Sequence, residues 1–366
     1  MNFFRTYLMP GFIFQSIVIG GGYATGRELI EFFFQAGPVG GVFGLIFSGL
    51  IFGIVLSAAF EFARIHKAYD YRTFCKKLMG RYWVAYEIAF FILLMLILSV
   101  IASAAGELVN SSFDIPNIFG TMALMLLIAV LTYYGGSAIK GTLTFWSILL
   151  YAVYIIVFIL TFYYMGDELA SAYNAPNLNK DWLSSGILYS GYNLAVLPAA
   201  LFAVVSHKTV KQTVGSGLIA GLLAVFPAIL FFVALMSMYP EIESAPVPSV
   251  DLMNSLNLPI LALVFQIVIF GTFVETGAAL LHSVNERINS NVKDLGYQLP
   301  KYIRPLTSFV LLTIAIFLSS AFGIIDLISK GYSALTLVFI FVLIIPLLTK
   351  GIWHSWHANK NTITYE

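Results

Sequence analysis

Charge is scarce in this 366-residue chain: Asp, Glu, Lys and Arg make up 10% of it, where a soluble globular domain carries roughly 25%. With 60% hydrophobic residues and a mean hydropathy of +0.90, the composition excludes an ordinary water-soluble protein. Neither sign of charge is in excess, since 19 Lys+Arg stand against 18 Asp+Glu. That balance gives no electrostatic footprint for a nucleic-acid partner. Cysteine is nearly missing as well, and the single thiol, Cys75, allows no internal disulfide and no zinc or redox cluster. The chain lacks HExxH, GxxxxGK[ST] and any Ser/His/Asp or paired-carboxylate constellation, so it offers no catalytic machinery and calls for no cofactor.

What the chain has in quantity is long apolar runs. A membrane helix needs ~20 mostly apolar residues to cross ~30 Å of hydrocarbon. Ten runs approach that length, at residues 8–34, 41–63, 84–108, 119–134, 143–165, 182–205, 214–238, 259–281, 306–322 and 324–348. They are too long and too continuously apolar for the strands of a β-barrel. The first run has no small-x-small cleavage site and continues into a glycine cluster, so it reads as mature structure rather than a signal peptide.

Cytoplasmic loops retain Lys and Arg during insertion. With the N-terminus inside, sixteen of the 19 basic residues fall on the inner side, the largest group being Arg64, Lys67, Arg72, Lys76, Lys77 and Arg81. Outer loops carry Asp114, Asp167, Glu168, Asp181, Glu241, Glu243 and Asp251. An even number of spans with both termini cytoplasmic follows. The chain divides into residues 1–165 and 181–350, five runs each, with an outer linker at 166–180 and an inner tail at 351–366. Five is odd, so the second half enters from the opposite side, which is the condition for an inverted repeat.

Breaks in corresponding runs are the best sequence pointer to a transporter binding site. Gly20, Gly21, Gly22, Tyr23, Ala24, Thr25 and Gly26 place four glycines in seven residues of the first run. Tyr189, Ser190, Gly191, Tyr192 and Asn193 precede Pro198 in the sixth. Gly22 and Gly191 lie 169 positions apart, and Glu107 and Glu275 lie 168 apart. Unwinding near Gly22 and Gly191 would free backbone groups that must face protein, water or a ligand. Freed carbonyls suit a cation and freed amides an anion, so an amphoteric solute such as an amino acid fits the arrangement. Close helix packing through small residues is the other reading of the glycines.

The segments GGGYATGRE (residues 20–28) and YSGYN (189–193) resemble the amino acid–polyamine–organocation superfamily with the leucine-transporter fold, and most closely bacterial amino acid permeases of the YkvI type. The resemblance implies an all-α membrane protein of ten helices in a 5+5 inverted repeat, with helices one and six interrupted, in the bacterial cytoplasmic membrane. It implies a bundle of spans 1, 2, 6 and 7 rocking against spans 3, 4, 8 and 9, and substrate held between spans 1, 3, 6 and 8, where Ser99 and Ser103 join the two glycine segments. On span eight, Thr272, Glu275 and Thr276 share one helical face. The hydroxyl pair resembles a sodium site completed by carbonyls near Gly20 and Tyr23; hydroxyls bonding back to the carbonyl four residues earlier are the alternative. Glu275 leaves proton coupling equally open. Arg27 and Asp326 resemble an outer gate, with Glu31, Glu28 and Glu107 as competing partners for Arg27.

The function expected is secondary transport of a small amino acid-like solute, coupled to Na+ or H+. A sensing receptor of the same fold without net flux, or a carrier for another small ion, is the alternative. Partners are the solute and the lipid bilayer, with no nucleic acid; oligomeric state leaves no mark in the sequence.

Overall fold

The computed structural model describes residues 3–355 except 135, 175–180, 295, 298–299, 301 and 354. All regular structure among the described residues is helical. The first run opens with a π-helical turn, Phe4–Leu8, and continues as α1 (Met9–Val18), entered through Pro10. It breaks at Ile19 (ψ 86°), resumes for one turn as α2 (Gly21–Ala24), breaks again at Gly26 (φ 79°) and resumes as α3 (Arg27–Phe33). Only glycine adopts that left-handed φ without strain. Gly22 therefore sits inside the short helix, and the two interruptions flank it.

A tight corner at Phe34–Ala36 leads into α4 (Gly37–His66). A short amphipathic helix, α5 (Tyr71–Met79), is capped by Asp70, whose carboxylate accepts from the Thr73 amide at 2.9 Å. Then follow α6 (Trp83–Phe113), α7 (Asn117–Tyr134) and α8 (Gly136–Tyr164). The expected polar linker begins as a helix, α9 (Gly166–Asn174), folded back by 84° and burying Leu169 and Ala172. The rest of that linker, 175–180, and the tail from 356 lie outside the described residues.

In the second half α10 (Trp182–Asn193) passes into a 3-10 stretch, Leu194–Val204, that contains Pro198. Proline removes a backbone donor, and eleven residues is long for 3-10 geometry. This change of hydrogen bonding is the interruption of the sixth span. It begins three residues beyond Gly191, and the backbone at Asn193 and Leu194 stays right-handed. Next come α11 (Val210–Leu235), started by a Thr209/Gln212 capping box, then α12 (Pro248–Ser255) in an outer segment, and α13 (Pro259–Asp294). The last stretch is α14 (Ile303–Asp326), a π-helical segment Leu327–Tyr332, and α15 (Ser333–Phe339), with further π turns to Gly351. Gly323 (φ 67°) breaks α14 between the ninth and tenth apolar runs.

Among the described residues, six helical stretches are long and apolar enough to cross a membrane, or seven if the bent pair of α8 and α9 counts as one. The ten runs are thus not ten separate straight helices. The first is cut into pieces shorter than a membrane, Asn117–Tyr133 falls short, and the ninth and tenth continue through Gly323 as Ile303–Gly351. The tightest packing joins α4 to α11. A Cβ on Gly221 would collide with the backbone of Gly49 and Gly53, and one on Gly217 with Ser57. Small residues on both faces let these two backbones touch.

Candidate functional site

The segment 19–26 packs against α6 and α13, the third and eighth spans. Its backbone is largely re-satisfied locally. The Gly20 amide donates to the Val18 carbonyl at 2.8 Å, the Ala24 amide to Gly20 at 2.9 Å, and the Gly26 amide to Tyr23 at 2.9 Å. The Thr25 hydroxyl donates to the Gly22 carbonyl at 2.9 Å, and the Ala24 carbonyl accepts from the Tyr154 hydroxyl at 3.3 Å. One carbonyl reaches outward: Thr25 accepts from the Ser249 amide, 3.0 Å away at the start of α12.

Around this segment lies an aromatic shell. Tyr23 is fully buried with its ring 6.4 Å from Tyr154; Tyr189 meets Phe33 at 5.1 Å; Tyr192 stacks on Tyr332 at 4.6 Å and on Phe32 at 5.5 Å. Ser99 and Ser190 are buried and bond back to the carbonyls of Met95 (2.8 Å) and Gly186 (2.7 Å). Ser103 is buried, and the Asn193 side-chain Nδ2 donates to the Tyr189 carbonyl at 3.0 Å. Gly191 belongs to a packing seam, since a Cβ there would lie 2.5 Å from Thr336 Cγ2 and 3.2 Å from Ile340 Cγ1.

Inside this shell is Glu28, which sequence reasoning named only as a competitor for Arg27. Its side chain is buried, its Oε1 has no hydrogen-bond partner, and it forms no ion pair with a described cation. Asn193 lies beside it, with Tyr23, Tyr154, Tyr189 and Tyr332 nearby. Its Oε2 stands 2.7 Å from where a Cβ on Gly22 would be. The readable signal was a carboxyl within an apolar run, where ionisable groups are costly and rarely idle.

A second locus joins the first and eighth spans. Ser16, Ile19, Leu150, Tyr151, Thr272 and Glu275 line a narrow crevice, and Gly20 lies next to Thr276, whose Cγ2 is 3.8 Å from the position of a Gly20 Cβ. The expected set Gly20, Thr272, Glu275 and Thr276 is thus brought together, whereas Tyr23 belongs to the aromatic shell. The Thr272 hydroxyl donates to the Val268 carbonyl at 2.9 Å, the helix back-bond that was the alternative reading. Among the described residues no cluster of three His, Cys, Asp or Glu side chains could hold a metal; a sodium ion here would rest on hydroxyl and backbone oxygens beside one carboxylate.

The outer gate differs from expectation. Arg27 is buried and donates to the carbonyls of Glu243 (2.6 Å) and Ala245 (3.0 Å) and to Glu31 Oε2 (3.0 Å). Asp326 instead pairs with the exposed Lys330 at 3.0 Å, and Glu107 accepts from Asn117 at 2.6 Å. Arg27 therefore clamps the outer segment that follows α11 onto the first span, and the Arg27–Asp326 gate is corrected to this clamp. The nearer carbonyls prevail because a guanidinium carries five donors that one carboxylate cannot fill.

The opposite side is also closed. Tyr86 donates to the Ala195 carbonyl at 2.9 Å, His207 Nε2 to the Thr6 carbonyl at 2.8 Å, and Glu61 accepts from both Arg64 and Thr213. The aromatic shell is sealed from both faces.

No protein-family model matches the chain. It is 25% identical over 281 residues to the uncharacterized membrane protein YkvI of Bacillus subtilis (strain 168), covering 76% of this chain and 80% of that one. Its structure is similar to MhsT in complex with L-phenylalanine, with a TM-score of 0.60, 18% identity, and 91% and 87% of the two chains covered. It is also similar to a Na+-coupled sialic acid symporter in a substrate-bound outward-open state, with a TM-score of 0.64, 13% identity, and 92% and 78% covered. The fold is the leucine-transporter fold.

Proposed function

We propose that the chain is a secondary active transporter that moves a small amphoteric solute of the amino acid class by alternating access, coupled to Na+ or H+. The observation that carries this reading is the double interruption of the first span, at Ile19–Gly20 and at Gly26, with Ile19 and the residues from Tyr23 to Glu28 buried in the protein. A membrane helix loses backbone hydrogen bonds at such breaks, and they persist where a cavity or ligand makes use of them. The surroundings suit the two ends of an amino acid: tyrosines and a carboxyl by α3, and polar oxygens of Ser16, Thr272 and Glu275 by the crevice. Neighbours in fold, one in complex with L-phenylalanine and one a sialic acid symporter, support a solute of this size.

The closed state seen here places clamps on both faces. In alternating access each must open in turn, the outer one by releasing Arg27 and Ser249, the inner one by releasing Tyr86 and His207. In proteoliposomes, an inward Na+ or H+ gradient should drive accumulation of at least one labelled L-amino acid above its equilibrium level. Binding without flux would favour a sensing receptor, and neither binding nor flux for any amino acid would overturn the solute class. Thr272→Val and Glu275→Gln, measured in the Na+ arm, decide whether the crevice holds the coupling ion.

A further inference from the structure

Glu28 is a buried acid that its surroundings do not neutralise. On its own helix, Arg27 is committed to Glu243, Ala245 and Glu31. The groups facing it from other elements are Tyr23 of α2, Tyr154 of α8, Tyr189 and Asn193 of α10, and Tyr332 of the π segment. None of these is a cation. None of the tyrosine hydroxyls donates to the carboxyl: Tyr154 donates to Ala24, and the Tyr23 hydroxyl has no partner at all. One amide neighbour is all that an ionised carboxylate would have in a shell of rings, and buried charges without a counterion or hydrogen bonds are strongly disfavoured. The same acid lies immediately after the clamp. Release of Thr25 from Ser249, and of Arg27 from the outer carbonyls, would admit water next to Glu28.

We propose that Glu28 carries the coupling proton. In the closed protein it is the neutral acid, loaded from the outer vestibule; when the inner vestibule opens, its carboxyl O–H bond breaks and the proton passes to water there. It is taken up again from the opposite side in the next half-cycle. This rests on the secondary-transport reading above and assigns the coupling ion and its site.

Infrared difference spectra of the purified full chain, titrated across pH, test the protonation without any solute. A protonated-carboxyl band should be present at neutral pH and disappear in Glu28→Gln, while Glu275→Gln retains it. Transport is measured with a mixture of the twenty labelled L-amino acids in proteoliposomes. Glu28→Gln imitates the protonated acid permanently, so exchange across the membrane should persist while accumulation driven by an acid-outside gradient falls to the equilibrium level. Gradient-driven accumulation by Glu28→Gln equal to the parent would overturn the proposal. So would an absent band together with loss of exchange, which would mark Glu28 as an ionised group holding sodium or a solute ammonium. If the parent moves no amino acid, the solute class fails instead; the infrared band then decides Glu28 by itself, its presence supporting the site and its absence overturning it.

Discussion

Gly22 and Gly191 looked equivalent in the sequence, and their surroundings separate them. A Cβ on Gly22 would meet the end of the Glu28 side chain at 2.7 Å, a group that can swing aside. Gly22→Ala should therefore keep the fold but displace Glu28, lowering gradient-driven uptake by about 10- to 100-fold, the effect of a ~1 Å misplacement. A Cβ on Gly191 meets Thr336 and Ile340 on a facing helix. Gly191→Leu should cost about 1–3 kcal/mol by overpacking, read as a lowered midpoint of thermal unfolding. Should Gly191→Leu unfold normally yet fail to bind solute, the seam assignment is wrong. At this scale the sequence was only partly legible. The glycine cluster pointed to the broken span, while Glu28 was named only as a competing partner for Arg27. Of Arg27's partners, Glu31 at i+4 was readable, whereas the two backbone carbonyls lie 216 and 218 positions away, and contacts of that kind leave no local pattern.

Among the elements, the outer segment and the sixth span were least readable. The stretch after α11 is short, mildly polar and without periodicity, yet it docks on the first span through Arg27 and Ser249. Because the Arg27 side chain is only 5% exposed, Arg27→Ala strands Glu31 and two carbonyls in the closed state alone. Breaking a buried pair costs ~3–5 kcal/mol, reduced here because Glu31 is 24% exposed. The variant should shift toward outward-open, seen as faster labelling of a cysteine placed at Ser249; the native Cys75 is buried and adds little background. Unchanged labelling would show that the clamp does not hold the closed state. At the inner end, burial pushes His207 below its ordinary value of 6.5, outweighing the Thr6 carbonyl that acts in the other direction. Its Nδ1 is buried without a partner, so the closed contact requires the neutral ring. The stabilisation is complete above 6.5 and is lost as pH falls below it toward the lowered value. The protection factor of the Thr6 segment, measured against the intrinsic exchange rate at each pH, should fall on that acidification in the parent and not in His207→Gln. In the sixth span, Pro198 announced an irregularity, but its form as a long 3-10 stretch depends on packing, including the Tyr86 bond to Ala195.

For the whole molecule, length and hydropathy were enough to exclude every soluble class and to indicate an all-helical membrane protein. They gave the number of apolar runs but not how those runs break and merge, because a run counts residues and not bends: Gly323 divides two runs yet leaves one continuous stretch. The clustering of basic residues remains the argument for cytoplasmic termini.

The contact between α4 and α11 carries a mechanical consequence. Two backbones in direct touch along several turns cannot slide or shear without collision, so the pair acts as a single stiff lever. Any tilt of one is delivered to the other undiminished, and motion must be absorbed elsewhere, at hinges such as Ile19–Gly20, Gly26 and Gly323. Spin labels on the outward faces at Leu50 and Leu222 should keep one fixed separation whether the protein opens outward or inward. A pair at Leu50 and Leu126, joining the lever to α7, should show a separation that changes with each opening.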